Sequence, residues 1–95
     1  MKIHELKILD KYAAEVALGR KRFELRKDDR GYEVGDLIHF NVIADKPDPT
    51  LDACVFTLMN SGNLYRITYI LRDVPQYGLA EGYCIFGIEK LVPER

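Results

Sequence analysis

The chain has 95 residues, of which 47% are hydrophobic and 31% charged, and its formal net charge at pH 7 is -1. This length predicts a single domain over residues 1–95, because two cores could hardly each bury enough apolar surface to offset the chain entropy. The hydrophobic content excludes disorder as the main state. The near-neutral charge excludes a protein that coats DNA with a broadly cationic surface.

The N-terminus and the cysteines favour a cytoplasmic protein. No apolar run approaches the roughly 20 residues that cross a bilayer. The charged residues Lys2, Glu5 and Lys7 stand where a signal peptide would carry its apolar stretch. Cys54 and Cys84 each lie in an apolar run, which favours buried thiols in a reducing compartment over a disulfide. We therefore expect no membrane association.

The first predicted elements are an extended segment over residues 4–9 and a helix. Asp10 is a predicted helix N-cap, and Gly19 is a predicted terminator. Lys11 and Glu15 are four residues apart, which predicts an ion pair along the helix. Between the two ends, apolar residues recur at helical spacing, namely Tyr12, Ala13, Val16 and Ala17. This is the one main helix that the sequence predicts.

A strand follows the helix and carries many of the cations. Phe23 and Leu25 alternate with charged neighbours, which predicts a half-buried strand whose apolar face holds these two residues. Residues 19–30, called the basic segment below, hold six of the fourteen Lys and Arg residues against three acids. Residues 1–30 sum to +3 and residues 31–95 to -4. We expect an anionic partner at the basic segment.

The rest of the chain predicts further strands joined by turns. Residues 28–36 carry turn signals, including Gly35 and Asp36, and a loop over residues 72–82 can hold a helical turn. Residues 44–51, with two prolines, are predicted to form a hairpin loop, and residues 60–63 a tight hairpin turn. The predicted strands cover residues 37–43, 53–59, 64–71 and 83–90. Alternation predicts that Ile38, Phe40 and Val42 share one face of the first of these strands and that residues 65, 67, 69 and 71 share one face of the third.

These elements predict an α+β fold. Short strands joined by tight turns, after one N-terminal helix, are typical of a small β-barrel that the helix caps. We expect five or six mainly antiparallel strands. A doubly wound parallel sheet is excluded, because it needs a crossover helix between successive strands and no second helical period follows Gly19.

Lys21, Glu24 and Arg26 are the main candidate functional residues. Glu24 and Arg26 are two apart on a strand, so their side chains leave the same face. Lys21 joins them only if it lies in the turn after Gly19, where strand parity does not apply. A desolvated lysine can act as a base, a carboxylate can move protons, and an arginine can hold phosphate through two hydrogen bonds. The alternative is a solvated Glu24–Arg26 ion pair without function.

Histidines and tyrosines supply further candidates. His4 is either a proton-transfer group near neutral pH or a structural residue. Tyr65, Tyr69 and Tyr83 can offer stacking faces to bases, although the first two share a predicted strand face that favours core and barrel rim. No metal and no cofactor are expected, since neither cysteine has a ligand partner at metal-site spacing and His4 and His39 are isolated.

Four residues at the helix-to-strand junction form the pattern Gly-x-Lys-x-x-Glu-x-Arg, namely Gly19, Lys21, Glu24 and Arg26. The pattern resembles the signature of the ASCH superfamily, and the chain resembles its DUF3850 branch. Flanking blocks extend the resemblance over nearly the whole chain, with residues 44–59 matched least. The resemblance implies a PUA-like β-barrel with a cleft between barrel and helix, lined by the motif.

The same resemblance implies binding of RNA or a nucleotide-like ligand, and some members of the superfamily are hydrolases that act on RNA or on modified cytidine. In the small amidohydrolase members the working groups are a lysine, a threonine and a glutamate. Lys21 matches the lysine, but Glu24 holds the place of the threonine. Glu81 and Glu89 are only candidates for the partner glutamate. This departure argues against transferring the amidohydrolase activity.

Three functions stay open at this point. The leading hypothesis is a module that binds RNA or a nucleotide, whose cations meet phosphate. The second is a small hydrolase of a modified nucleoside or RNA, with Lys21 as base and Glu24 as acid/base. The third is a protein-interaction domain that uses the acidic residues 31–95. The predicted ligand-binding residues are Lys21, Glu24, Arg26, Lys27, Arg30, His4 and Tyr83.

Overall fold

The computed structural model describes residues 1–44, 53, 55 and 62–91. The described residues include an N-terminal helix of two turns and one five-stranded sheet that curls into a half-barrel, which confirms the predicted α+β class. A 3₁₀ turn (Pro75–Tyr77) lies in the predicted loop before the last strand. The elements in chain order are β1 (Ile3–Leu9), α1 (Asp10–Ala17), β2 (Phe23–Lys27), β3 (Leu37–Ile43), β4 (Tyr65–Arg72) and β5 (Tyr83–Lys90).

The order of the strands across the sheet is β1-β3-β4-β5-β2. β1 pairs in parallel with β3, from Ile3 opposite Leu37 to Leu9 opposite Ile43. The other three pairings are antiparallel, so the predicted mainly antiparallel sheet is confirmed. Although β1 and β2 are consecutive in the chain, α1 separates them and they lie at the two opposite edges of the sheet. Their positions create the site described below.

Helix α1 begins one residue earlier than predicted. Leu9 is its N-cap and Asp10 its first helical residue, so Asp10 does not act as the cap. Gly19 has φ of 77°, a left-handed conformation that glycine adopts without strain, and it ends the helix as predicted. Ala13 and Val16 are buried against the sheet as the helical spacing indicates.

The core lies on the face of the sheet that α1 covers, and β3 alternates as predicted. Its residues Ile38 and Phe40 are buried, while Val42 near the strand end is partly exposed. The largest fully buried side chains are Phe40, Phe86, Leu6, Ile38, Ile67 and Cys84. Cys84 is a free thiol, as predicted, and burial raises its pKa.

A β-bulge changes which side chains of β4 face the core. Ile67 pairs with Ile88 and Tyr69 with Gly87, so Thr68 is the extra residue between them. Beyond the bulge the alternation reverses, and Tyr69 is 64% exposed. The predicted common face of residues 65, 67, 69 and 71 is therefore wrong after Ile67, because the sequence pattern carries no signal for the inserted residue.

One predicted strand is wrong where the structure describes it. Ala53 and Val55, within the strand predicted over residues 53–59, are both helical, and Val55 packs into the core. Apart from Ala44, the predicted hairpin loop over residues 44–51 lies outside the described residues, as do residues 60 and 61 of the predicted turn and Cys54. In the part of the chain that the structure describes, no helix has the length and apolarity needed to traverse a bilayer.

Candidate functional site

A cleft lies between the free edges of β1 and β2. Among the described strands, β1 pairs only with β3 and β2 only with β5, so each leaves one edge open. The cleft has a volume of about 490 Å³, within the range of about 300–1,000 Å³ typical of ligand sites. We call it the edge cleft. It is lined by Lys7, Ile8, Leu9, Tyr12, Lys21, Phe23, Glu24, Leu25 and Arg26.

Strand β2 turns its charged face inward. Glu24 is 3% exposed, whereas Phe23 and Leu25 are 49% and 55% exposed. The prediction that the apolar residues form the buried face is therefore wrong, and so is the solvated ion pair considered as an alternative. Burial of this carboxylate is tolerated because both oxygens accept hydrogen bonds from cations.

Two cations hold the Glu24 carboxylate. Arg26 Nε donates a hydrogen bond to Oε2 at 2.8 Å, and Lys21 Nζ donates to Oε1. The Lys21 and Arg26 side chains are only 19% and 23% exposed, so the three charges meet in a partly desolvated place. The structure thus brings together the three residues that the sequence singled out.

Lys21 reaches Glu24 because it precedes the strand. β2 begins at Phe23, and Lys21 has no regular secondary structure. The alternation of side chains along a strand therefore does not apply to Lys21, which is the condition under which the sequence predicts that it joins Glu24. The backbone oxygen of Glu15 accepts hydrogen bonds from the N–H groups of Arg20 and Lys21, at 2.9 and 3.1 Å. The end of α1 therefore fixes the backbone of Lys21.

The side chain of Glu15 supports the same junction. Its carboxylate accepts two hydrogen bonds from Arg20, at 2.6 and 2.8 Å, in place of the predicted pairing with Lys11. These bonds hold the pKa of Glu15 below its ordinary value. Arg20, a cation of the basic segment, thus has a structural partner on the helix.

Two half-exposed aromatic rings flank the Lys21 ammonium. Its Nζ lies 5.3 Å from the centroid of the Phe23 ring and 5.9 Å from that of Tyr12. At such distances a cation is attracted to the ring face. Because about half of each side chain is exposed, both rings offer apolar surface to a ligand in the edge cleft.

Several residues of the edge cleft were not identified as site residues from the sequence. Lys7, Ile8 and Leu9 were assigned only to an extended segment, and Tyr12 was assigned to the apolar face of the helix. The alternation of β1 places Lys7 on the face opposite to buried Leu6 and Ile8, but this pattern does not tell which other strand edge faces it. The order of the strands decides that, and it was not predicted.

Two arginines of the basic segment bridge the open edges of the sheet. Arg26 Nη2 donates to the backbone oxygen of Lys7 and Arg30 Nη1 to that of Glu5, both at 2.8 Å. Glu5 and Lys7 are two residues apart on β1, so their carbonyl groups point to the same edge. The arginines satisfy acceptors of an edge that would otherwise stay unpaired there. Arg26 and Arg30, which the sequence predicts as phosphate contacts together with Lys27, therefore tie the basic segment to β1.

His4 lies in a buried cluster outside the edge cleft. Its Nε2 is 2.9 Å from Oδ2 of Asp36, and its ring centroid is 4.8 Å from that of Tyr32. Burial acts to raise the pKa of Asp36, but hydrogen bonds from His4 and from the backbone N–H groups of Lys2 and Glu33 outweigh it and lower this pKa. Gly35 and Asp36 form the predicted turn before β3.

The remaining predicted ligand-binding residues also lie outside the cleft lining. Lys27 and Tyr83 are opposite each other at one end of the β2–β5 ladder, and both are exposed. Arg30 is exposed beside β1. Ligand-binding roles for these residues and for His4 stay predictions. Across residues 1–44, 53, 55 and 62–91, no group of three or more His, Cys, Asp or Glu side chains is placed to hold a metal ion.

Comparison with known proteins places the chain in a family. A protein of Escherichia phage P2, described as an uncharacterized 12.9 kDa protein in GpA 3'region, is 54% identical to this chain over 37 residues. The match covers 39% of this chain and 34% of the phage protein, so the chain spans about a third of that curated relative. The family model described as a domain of unknown function, DUF3850, matches residues 3–88, and the chain therefore belongs to the DUF3850 family.

Proposed function

We propose that the protein binds RNA or a nucleotide-like ligand in the edge cleft. The observation that carries this proposal is the buried Glu24 carboxylate, which holds Lys21 and Arg26 side by side on the cleft wall. An internal acid that orients two cations prepares a place for an anionic group without repelling it, since its own charge is already compensated. Phosphate is the anion that such paired cations commonly bind.

The charge of the cleft favours an anion. Among the residues that the structure describes, three cations line it, Lys7, Lys21 and Arg26, against the single carboxylate of Glu24. An ammonium group has three donors and a guanidinium group five. One donor of Lys21 and two of Arg26 have partners named above, namely Glu24 and the backbone oxygen of Lys7. Further donors on both side chains are available to a phosphate.

The aromatic wall favours a base next to that phosphate. Tyr12 and Phe23 present half-exposed rings beside the Lys21 ammonium. Aromatic stacking on an unpaired base is the usual way in which proteins bind single-stranded RNA and nucleotides. Cations and rings in one concave site match the two chemical halves of a nucleotide.

The ASCH resemblance supports the same assignment. The four matched positions, Gly19, Lys21, Glu24 and Arg26, lie at the edge cleft or at the turn that leads into it. In that superfamily the corresponding motif is proposed to line a ligand cleft of a PUA-like barrel. We also keep the predicted cytoplasmic location as part of this proposal.

A hydrolase is the alternative, and the contact between Lys21 and Glu24 is the observation that favours it. A hydrogen-bonded amine and carboxylate can pass a proton between them. Binding is nevertheless favoured, because both oxygens of Glu24 already accept hydrogen bonds from cations. Moreover, within the described part of the chain no Ser, Thr, Cys or His lines the cleft. Turnover of an acylated nucleoside or RNA that is lost in Lys21→Ala and Glu24→Ala would establish the hydrolase.

Titration with short single-stranded RNA and with nucleoside monophosphates, at low and moderate salt, tests the binding proposal. Lys7→Ala is the most informative variant, because Lys7 lines the cleft with an exposed side chain and its loss should not disturb the fold. Lys21→Ala and Arg26→Ala test the motif itself. We expect each to weaken binding by about tenfold, the typical value of one charge-assisted hydrogen bond.

Lys2→Ala is the matched control, since it removes the same charge from an exposed side chain outside the cleft. Its backbone N–H, which donates to Asp36, is retained in alanine. We expect its affinity to equal that of the wild type. Absence of binding to every ligand, or equal losses in Lys7→Ala and Lys2→Ala, would contradict the proposal.

A further inference from the structure

A second cavity adjoins the edge cleft, and Lys21 lines both. This cavity has a volume of about 300 Å³ and lies where the end of α1 meets β4 and β5. We call it the helix-end cavity. Its floor is formed by the buried side chains of Val16, Tyr65 and Ile88, and its rim carries Arg22 and Lys90. The two cavities together extend the concave surface on either side of one lysine.

Among the described residues, cations outnumber acids in the lining of the helix-end cavity as well. Lys21, Arg22 and Lys90 line it together with one acid, Glu89. Glu89 accepts a hydrogen bond from Arg66 Nε at 2.8 Å, so its charge is compensated by a residue outside the cavity. An anionic ligand therefore meets favourable charge in both cavities.

Lys21 stands at the boundary between them. One of its three ammonium donors binds Glu24, which leaves donors for a ligand group located between the two cavities. In a single strand of nucleic acid, the group between two neighbouring nucleosides is the bridging phosphodiester. A charge at this boundary therefore suits a dinucleotide unit better than it suits one isolated nucleotide.

We propose that the ligand is single-stranded nucleic acid of at least two nucleotides. One nucleotide occupies the edge cleft, its neighbour occupies the helix-end cavity, and Lys21 binds the phosphodiester between them. This inference rests on the proposed function and deepens it by naming the ligand class. A duplex is excluded as the occupant because paired bases cannot enter two separate concave sites.

Comparison of ligands of increasing length by calorimetry tests the inference. The probes are a nucleoside monophosphate, a dinucleoside with one bridging phosphodiester, and a single strand and a duplex of eight units. We expect the dinucleoside to bind about tenfold more tightly than the monophosphate, since an additional base contact has about that effect. The duplex should bind more weakly than the single strand.

Variants of the two cavities provide a second measurement. Arg22→Ala should lower the affinity for the dinucleoside by a factor at least about three times the factor by which it lowers the affinity for the monophosphate. The reason is that Arg22 belongs to the helix-end cavity alone. Lys7→Ala should lower the affinities for both ligands by similar factors. Lys2→Ala serves as the charge-matched control, and thermal melts check that each variant is folded.

The outcomes separate the two proposals. A monophosphate that binds as tightly as the dinucleoside would overturn the two-nucleotide site and leave the proposed function intact. Duplex binding as tight as that of the single strand would also overturn it. Failure of all probes to bind would overturn both proposals.

Discussion

Arg26 Nη2 lies 2.8 Å from the backbone oxygen of Lys7, and this hydrogen bond spans the gap between β2 and β1. The same guanidinium donates through Nε to the buried carboxylate of Glu24. One side chain therefore compensates an internal charge and also ties together two strands that do not pair with each other. Under the proposed function, stability and ligand binding are coupled at this residue.

Replacement of Arg26 by lysine should show the loss of this bridge between β1 and β2. An ammonium group cannot reproduce the planar fork that reaches Glu24 and Lys7 together, so we expect a loss of about 1–2 kcal/mol in the free energy of unfolding. Amide hydrogen exchange should accelerate in β1 more than in the central strand β4. Urea unfolding and exchange measured by mass spectrometry give both quantities.

Arg66→Lys is the control for this substitution. Arg66 forms an exposed ion pair with Glu89, and such pairs contribute about 0–1 kcal/mol. Equal losses of stability in Arg26→Lys and Arg66→Lys, or unchanged exchange in β1, would contradict a bridging role for Arg26.

Glu24→Gln should destabilise the fold although it preserves the shape of the side chain. The substitution leaves two partly buried cations, Lys21 and Arg26, without a compensating charge. We expect a loss of about 2–3 kcal/mol, somewhat below the value for a fully buried pair because solvent still reaches both cations. Chemical denaturation measures it, and a change below about 0.5 kcal/mol would argue that Glu24 is dispensable for stability.

Phe23→Ala should affect ligand binding more than stability. The ring is half exposed, so its truncation should lower the free energy of unfolding by only about 1 kcal/mol. If a base stacks on the ring, affinity should fall at least about fivefold. Tyr77→Ala is the matched control, because Tyr77 is 83% exposed and lies outside both cavities. Identical affinities of the Phe23 variant and this control would contradict stacking on Phe23.

Gly87→Ala should be destabilising because of the bulge in β4. A Cβ atom at Gly87 would lie 2.7 Å from Oγ1 of Thr68, closer than real contacts allow. We expect a loss of about 1–3 kcal/mol, as for other overpacked sites. In a Thr68→Ala background the penalty should fall by about 1 kcal/mol or more. Additive effects in the double-mutant cycle would show that Thr68 is not the obstacle.

Asp36 should make stability depend on acid pH. Its pKa in the folded state is below the ordinary value of 3.8, so its contribution is fully present above that value. The contribution is lost as the pH falls through the lowered pKa of the folded state. Asp36→Asn should reduce stability by about 1–3 kcal/mol at neutral pH, since the buried groups that bind Asp36 lose an ionised partner.

The same variant should also flatten the dependence of stability on pH in the acidic range. Urea midpoints, measured from neutral pH downwards, test both effects. Parallel pH profiles of the wild type and Asp36→Asn would rule out a contribution of this carboxylate to acid unfolding.

Sequence patterns predicted where the strands occur better than they predicted which face of each strand is buried. The alternation in β3 was interpreted correctly, because its buried face carries the apolar residues Ile38 and Phe40. In β2 the same reasoning placed Phe23 and Leu25 in the core, but β2 is an edge strand whose inner face holds ion-paired Glu24. Periodicity tells which residues share a face, but it does not tell what covers that face.

By itself, the sequence determined the α+β class, the helix end at Gly19, the positions of all five described strands and the three charged residues of the candidate site. Each of these depends on local signals: the spacing of apolar residues, glycine conformation, and Lys21 preceding a strand. The tertiary structure alone decided that β1 and β2 face each other across a cleft and that Lys7 and Tyr12 line it. Strand order brings these distant segments together, and no local pattern encodes it.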